Sequence, residues 1–491
     1  MHCDILINYG GNGFMLAFVE NALGTLVDIL WGPTLLISLI GTGIWFTLIT
    51  KFWPLRKFGM VLKRCLNIDA DKATAKSVGI VSPYQAASIA IAGAIGTGNI
   101  GGVASAIALG GPGVLFWMWL TAIVGMATKL VEITLAVYYR DKKPNGDTWG
   151  GPTFYMEKGL GAKTKLWIPL AWTFGLGIMI QYFISLENFT VSEALTEATG
   201  VNQIYTSLFY GVMCAAVVIG GIKKVAGFAA KMLPIMSILY VASGLYIIAL
   251  HAGRIPEVLI MVVSRAFTPC AAIGGFAGAT LLLTIRTGIS RSLFSNEAGW
   301  GASPMAHSTA RTNHPVEQGL WGIFEVFVDT MVICTITSLV ILVTGEWSSG
   351  EAGATLTMRA FRTGMGDGGY YFVAFVAFLF AWTTSTSWSS YFQTLIEHAF
   401  RSKPEVSAKL DKVMRACYVF PGIISTIFIA KIGIKTEIVW LVSDIATSLP
   451  TYANLIAILF LTKKFMAILK DYDGKRILWG KDIFYKYDKE I

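Results

Sequence analysis

The sequence predicts an all-α integral membrane protein with 11 transmembrane helices. Ten of them are expected to form an inverted 5+5 repeat whose first and sixth members are broken, and one helix precedes the repeat. Three observations predict this. Of 491 residues, 54% are apolar and only 14% charged, whereas soluble chains carry about 25% charged residues. Crossing about 30 Å of hydrocarbon takes roughly 20 apolar residues. Such stretches recur near 28–50, 85–109, 113–137, 165–188, 205–221, 226–250, 267–292, 318–345, 369–396, 413–431 and 436–462. Glycine clusters interrupt two of them, five spans apart.

Taken in order, "GFMLAFVENALGTL" is expected to lie at the interface before the first span, and "GGPTFYMEKGLG" after the third is a second candidate of that kind. The N-terminal "MHCDILINYGGNG" lacks Lys and Arg and makes a poor signal peptide. Basic residues choose the orientation. Lys51, Arg56, Lys57, Lys63, Arg64, Lys72 and Lys76 separate spans one and two, and Arg140, Lys142, Lys143, Lys158, Lys163 and Lys165 separate three and four. Lys223, Lys224 and Lys231 follow span five, Arg401, Lys403, Lys409, Lys412 and Arg415 follow span nine, and eight more lie past Leu461. The segment 188–204 has none, and 251–266 only Arg254 and Arg265. This places the N-terminus outside and the C-terminus in the cytoplasm of a cell (plasma or inner) membrane. It also explains the net charge of +9 without nucleic acid as a partner. Four regions result: 1–84 with the interfacial helix, the extra span and a basic loop; 85–250 and 251–462, the two five-helix repeats; and 463–491, a basic tail. Six scattered cysteines form no metal-ligand spacing.

The second span contains "AGAIGTGNIGG", Ala92 to Gly102, with a G-x-G-x-x-G at Gly96, Gly98 and Gly101. A dinucleotide cradle needs a short strand before it and an acid about 20 residues later. No charged residue occurs from Ser77 through Thr128, and the first acid after Gly101 is Glu132, deep in the next span. That excludes the nucleotide reading. Glycine costs about 1 kcal/mol relative to alanine inside a helix. Five glycines within ten residues exceed what one packing face needs, so the cluster predicts a helix broken within the bilayer. Freed backbone groups are tolerated there only where they line a cavity or bind something. The N-terminal end of a half-helix offers unpaired N–H groups to a carboxylate, which makes Thr97, Gly98 and Asn99 the candidate carboxylate site, with Gly96 beside them in the expected substrate site.

A second cluster, "AAIGGFAGAT" (Ala271 to Thr280), lies in span seven, which runs in the opposite sense. Two interrupted helices of opposite sense, each opening a five-span set, mark an inverted repeat with its site near the midplane. Gly275, Phe276 and Gly278 are therefore expected at that site. Arg286, Arg291 and Glu297, toward the cytoplasmic end of the same span, are candidate gate residues, with a static structural pair as the equal alternative. Asp444 is a further ionisable residue with a candidate role in proton coupling.

"GTGNIGGVASAIALGGPGVLFWMWLTAIVGMATKLVEITLAVYYR", "GGPTFYMEKGLG", "RSLFSNEAGWGASPMAHSTA" and "HPVEQGLWGIFEVFVDTMVICTITSLVILVTG" resemble the alanine/glycine:cation (sodium:alanine) symporter family. The resemblance runs from about Tyr84 to Lys464. It implies the inverted-repeat fold of the amino acid–polyamine–cation superfamily and sodium- or proton-coupled uptake of a small neutral amino acid such as alanine or glycine. Sodium is the favoured co-transported cation on the strength of that resemblance; no other cofactor is expected, and the chain is expected to be a monomer in the lipid bilayer. By the superfamily pattern, the carbonyls of Ala92 and Ile95 meet Thr383 and Thr384 of "FAWTTSTSWSSYFQTL" to hold the ion, an oxygen-only set suited to a hard monovalent cation. The alternative is that both hydroxyls bond back within their own helix. Phe276 and Trp388 are expected to wall the side-chain pocket, Trp388 about one turn beyond the hydroxyls, with Gln181 adding a polar contact.

The chain departs from the family pattern at Ser385, Thr386 and Ser387 before Trp388, and at Tyr391, Phe392 and Gln393 after it. Tyr182 and Phe183 follow Gln181, and Leu441 stands where an acid is expected. These differences bear on the cargo rather than the fold. Three other classes find less support. An intramembrane enzyme needs converging catalytic groups, and the five histidines lack that pairing. A channel needs a selectivity filter or a ring-forming acidic segment. A sensor would be expected to carry a signalling domain.

Overall fold

The computed structural model describes residues 11–67, 77–143, 145–432 and 436–475. Lys72 and Lys76 of the first basic loop, the first ten residues and the tail beyond Lys475 lie outside the described residues.

Helix α1 (Gly11–Leu30) leads through Gly32 into α2 (Pro33–Ile49). The two form one apolar stretch, Phe18–Ile49, so the expected interfacial helix runs into the first span rather than standing apart. Short helices α3 (Trp53–Arg56) and α4 (Phe58–Cys65) follow. Helix α5 (Pro83–Ala94) opens on a capping box. The Ser82 hydroxyl accepts from the Gln85 N–H and the Gln85 side chain accepts from the Ser82 N–H, with Pro83 in the first turn, where a missing N–H costs nothing. The helix stops at Ile95, whose ψ of 92° is extended. A π-helical turn, Gly98–Gly102, then leads into α6 (Val103–Gly110), and the two halves meet at 46°. The predicted break is there.

Helix α7 (Val114–Tyr138) is buried along most of its length. A two-residue strand pair, β1 (Asp141–Lys142) and β2 (Thr148–Trp149), and α8 (Pro152–Tyr155) connect it to α9 (Trp167–Ile184). Ser185, in the left-handed region, kinks α9 away from α10 (Leu186–Thr199). Then come α11 (Gln203–Val218), α12 (Gly221–Leu250) and α13 (Ile255–Arg265).

Span seven differs from expectation. Residues 270–280 form a hairpin before the helix. Cys270 and Ala279 exchange backbone hydrogen bonds (3.0 and 2.8 Å), as do Ile273 and Phe276 (3.1 and 3.0 Å), and Gly275 donates to the Ser348 carbonyl. Gly274 and Gly278 take positive φ, so these glycines make the turns of a hairpin held by two internal residue pairs and by Ser348. Helix α14 (Leu281–Asn296) starts only afterwards, and the break lies beyond it: Glu297 sits in the left-handed region and Gly299 and Gly301 have φ of 98° and 85° before α15 (Ser303–His307).

The chain continues through α16 (Pro315–Val326), a π-helical stretch Phe327–Cys334, α17 (Thr335–Thr344), α18 (Gly353–Met365), α19 (Asp367–Ala399), α20 (Pro404–Cys417), α21 (Phe420–Ile432), α22 (Thr436–Phe460) and α23 (Thr462–Lys470). Among the described residues, eight helices are long and apolar enough to cross a membrane, and the bent pair of α5 and Gly98–Gly110 makes a ninth. The fifth and seventh expected spans correspond to α11 and α14, each 16 residues and so shorter than a full crossing on their own.

Packing brings the two breaks together. Helix α5 lies against α15, and α6 and the Gly98–Gly102 turn lie against α14. First half thus meets second half in both directions, as two antiparallel broken helices require. Helices α12 and α19 flank α5, α7 backs α14 and α16, and α9 packs on α22.

Candidate substrate and cation site

Where α5 ends, backbone groups that a continuous helix would pair are freed. The Asn99 side chain captures one of them: its Oδ1 accepts from the Gly96 N–H at 2.9 Å. Its Nδ2 donates to Asp329 Oδ1 (2.7 Å) and to Ser295 Oγ (2.9 Å). The Asn99 side chain is therefore fully buried and faces the protein, away from the cavity. It shapes the break instead of lining it. Asp329 also accepts from Ser295 and Thr330 (2.7 and 2.8 Å), so one carboxylate ties the first broken helix to the end of α14.

The second break is held from three sides. Lys129 of α7 pairs with Glu325 of α16 (3.3 Å) and donates to Ser303 Oγ (2.7 Å), with no exposure at either charge. Gln318 donates to His307 Nδ1 (2.8 Å), so His307 Nε2 carries the hydrogen and donates to Glu325 (3.0 Å). Asn454 of α22 donates to the Gly299 carbonyl at 2.9 Å and to Glu132, and it accepts from Tyr155. Burying such charges is costly unless they are paired; here the pairing fixes Glu297–Ala302.

Between the breaks lies a cavity of about 30 Å³. Gly93, Ala94, Gly96, Thr97, Gly98, Thr384 and Trp388 line one side, and Gln181, Glu187, Phe294, Glu297 and Trp300 the other. Of the residues singled out from sequence, Gly96, Thr97, Gly98, Gln181, Glu297, Thr384 and Trp388 thus come together. The Thr384 hydroxyl reaches the carbonyls of Ala92 (3.0 Å), Ile95 (3.1 Å) and Phe380 (3.0 Å). One hydroxyl has one proton, so it cannot satisfy three carbonyls at once. The result is a knot of four oxygens with more acceptor capacity than donors.

Thr383 does not join it. Its hydroxyl donates to Phe380 and Leu379 of its own helix (2.8 and 3.2 Å) and lies 3.3 Å from Met236 Sδ, the back-bonded alternative. Gly275, Phe276 and Gly278 belong to the hairpin, and the Phe276 ring packs edge-on against Trp347 at 5.6 Å. The aromatic that lines the cavity from α14 is Phe294. Arg286 pairs with Asp28 (2.9 Å) and Arg291 approaches Asp444 at 3.8 Å. Both precede the break and Glu297 lies at it. The two arginines therefore occupy the first half of the span and not its cytoplasmic end. Arg291 also lies over the rings of Trp440 (5.3 Å) and Phe294 (5.9 Å); Phe294 lines the cavity, and Trp440 lines a larger one of about 410 Å³ that shares Thr97 with it.

Sequence reasoning missed Gly93, Ala94, Glu187, Phe294 and Trp300. The signal for the last two was available: "NEAGWG" contains two glycines beside an acid that a continuous membrane helix would not hold, and Pro304 follows. Glu187 gave none, because only the kink at Ser185 turns it inward.

Known proteins bear on this arrangement. The profile of the sodium:alanine symporter family matches residues 16–485. A sodium/alanine symporter of Methanococcus maripaludis is 34% identical over 452 residues, 90% of this chain and 94% of that one. A protein of Bacillus subtilis named a probable sodium/glutamine symporter is 36% identical over 477 residues, 96% and 94%. Among solved structures, MhsT in complex with L-phenylalanine aligns with a TM-score of 0.57 at 15% identity, over 78% of this chain and 89% of that one. A Na⁺-coupled sialic acid symporter aligns with 0.54 at 13%, over 96% and 94%. These two show the fold alone.

Proposed function

The chain belongs to the sodium:alanine symporter family, a family of secondary transporters and not of enzymes, and from that premise we propose that it carries a small neutral amino acid into the cell together with sodium. The observation that supports this best is the convergence of Thr384 Oγ1 on the Ala92 and Ile95 carbonyls at 3.0 and 3.1 Å, directly beside a cavity lined by the same break. Carbonyl and hydroxyl oxygens replace the hydration shell of a hard monovalent cation. A sodium ion there would use the lone pairs of these oxygens and stiffen the junction between α5 and α19.

In this reading, the N–H groups of Thr97 and Gly98 at the start of the second half-helix receive the substrate carboxylate. The Glu297 carboxylate, buried and lining the same cavity, faces the ammonium. Phe294 and Trp440, with Arg291 and Asp444, form a thin gate toward the larger cavity, which is the outer vestibule if the C-terminus is cytoplasmic. Eleven crossings follow if α11 and the broken α14–α15 pair each count as one. Sodium bound first favours the state that completes the substrate site, and rocking of the broken helices against α7 and α16 then exposes both to the cytoplasm.

The test is uptake of labelled neutral amino acids into proteoliposomes under an imposed sodium gradient. Accumulation that collapses when sodium is equal on both sides supports the reading. Accumulation driven equally by a proton gradient without sodium replaces sodium by proton. Sodium flux that ignores amino acids would make the protein a channel.

A further inference from the structure

Glu187, a half-buried carboxylate in the first turn of α10, is left unused by the scheme above. It lines the cavity, yet among the described residues its only hydrogen-bond partner is its own backbone N–H. The neighbouring phenols are engaged elsewhere: Tyr210 shares a 2.7 Å hydrogen bond with Ser385 Oγ, and Tyr418 donates to the Ser385 carbonyl. A carboxylate costs several kcal/mol to take out of water, so a donor is expected opposite it. Gln181 lines the same cavity. The two Gln181 Nε2 hydrogens are shared among the Ser443 carbonyl (3.0 Å), Ser443 Oγ (3.1 Å) and Thr447 Oγ1 (2.9 Å). Only an NH₂ can serve a carbonyl, which fixes the amide's orientation and leaves Oε1 with a single long bond from Ser443 at 3.4 Å. This wall therefore presents acceptors. The third group is Trp300, 2% exposed, whose indole N–H has no partner among the described residues. A primary carboxamide has two N–H donors and one carbonyl acceptor, which match two acceptor groups and one orphan donor.

We propose, resting on the amino-acid symport reading, that Gln181, Glu187 and Trp300 form a side-chain subsite that selects an amino acid ending in a neutral carboxamide, such as asparagine or glutamine, over alanine. Size does not decide against it. About 30 Å³ admits roughly two waters, which is less than any amino acid needs, so the cavity must widen for every candidate and its polar lining makes the choice. Polar subsites discriminate well because an analogue lacking the group leaves them unpaired. Among the described residues the lining holds no basic side chain, so aspartate and glutamate meet repulsion from Glu187.

The experiment is ligand-induced thermal stabilisation of the detergent-purified full chain in sodium. Alanine, serine, asparagine, glutamine, aspartate and lysine are the probes, alongside competition against labelled alanine uptake in proteoliposomes. The proposal expects asparagine or glutamine to stabilise the protein and to compete at concentrations at least about tenfold below alanine, roughly 1.4 kcal/mol. Glu187→Leu should compress that ratio toward one, and Gln181→Leu should do the same, so that one failing to fold leaves the other. Alanine preferred over both carboxamides overturns the subsite while leaving symport intact, as does lysine preferred over both. A wild-type chain stabilised by no amino acid, and transporting none, overturns the symport reading and the subsite with it.

Discussion

Thr383 and Thr384 are adjacent hydroxyls on one helix, yet only Thr384 reaches the Ala92 and Ile95 carbonyls. Thr384→Val keeps the shape and removes the oxygen. Half-saturation of uptake by sodium should then rise about tenfold or more, since a hydrogen-bonding oxygen on a charge is worth about 1.5–3 kcal/mol, whereas Thr383→Val should shift it less than about twofold. Initial uptake rates across a sodium titration measure both, and unchanged sodium activation in Thr384→Val would discard the ion site. Gly96 tests the same knot by crowding. A Cβ there would lie 2.8 Å from Thr384 Oγ1, closer than real Cβ atoms approach, so Gly96→Ala should impair sodium activation even though alanine is the better helix former. The sequence could name both threonines but not choose between them. Neighbouring helical positions point about 100° apart, and the rotation of α19 is set by its packing against α5 and α12, which no local pattern records.

At the scale of elements, the two broken helices are legible to different degrees. The first was readable because five glycines sit in an otherwise uncharged span, with nothing else for them to do. The second was misplaced: "AAIGGFAGAT" looks like the first cluster, but its glycines close a self-bonded hairpin, and the break uses Glu297, Gly299 and Gly301. Composition alone does not separate a turn at a helix start from a break inside it; the partners that satisfy the backbone do. Asp329 joins the two breaks through Asn99 and Ser295. Asp329→Ala strands those donors in the interior and should cost about 2–5 kcal/mol, read as a lowered unfolding midpoint with poor recovery of uptake by added sodium. Elsewhere, in the connection between α8 and α9, Glu157 accepts from His398 (2.8 Å) and Arg401 (2.5 Å). Burial pushes its carboxyl up, but the His398 hydrogen bond and the charges of His398, Arg401 and Lys158 outweigh that and leave it below its usual value. A depressed carboxylate stabilises the fold above its unfolded pKa of about 4.3 and loses that contribution as pH falls through the folded value. Glu157→Gln should therefore be less stable than wild type at pH 7, and the gap should close in acid, as thermal unfolding across pH would show.

For the whole molecule, one end of the site is held shut and the other opens onto a vestibule. Lys129, Glu325, His307 and Gln318 clamp the second half of the broken span, while Thr97 is shared between the site and the cavity of about 410 Å³ lined by Ser105, Ala194 and Trp440. Positive charge concentrates in the connections that the orientation rule assigns to the cytoplasm, so that vestibule should face outward. A cysteine placed at Ala194, in a chain whose exposed Cys417 is changed to serine, then reports the state directly. In right-side-out vesicles it should react with a membrane-impermeant thiol reagent, faster in sodium because the ion favours the outward-facing form, and several-fold slower once a transported amino acid is added with sodium, since the ligand shifts the population only by its differential affinity for the two states. Labelling that occurs only in inside-out vesicles would invert the topology and turn the vestibule into the exit. Labelling from outside that neither sodium nor amino acid alters would mean that the two broken helices do not move relative to α10 and α18, and the rocking cycle would be lost while the ion knot could stand.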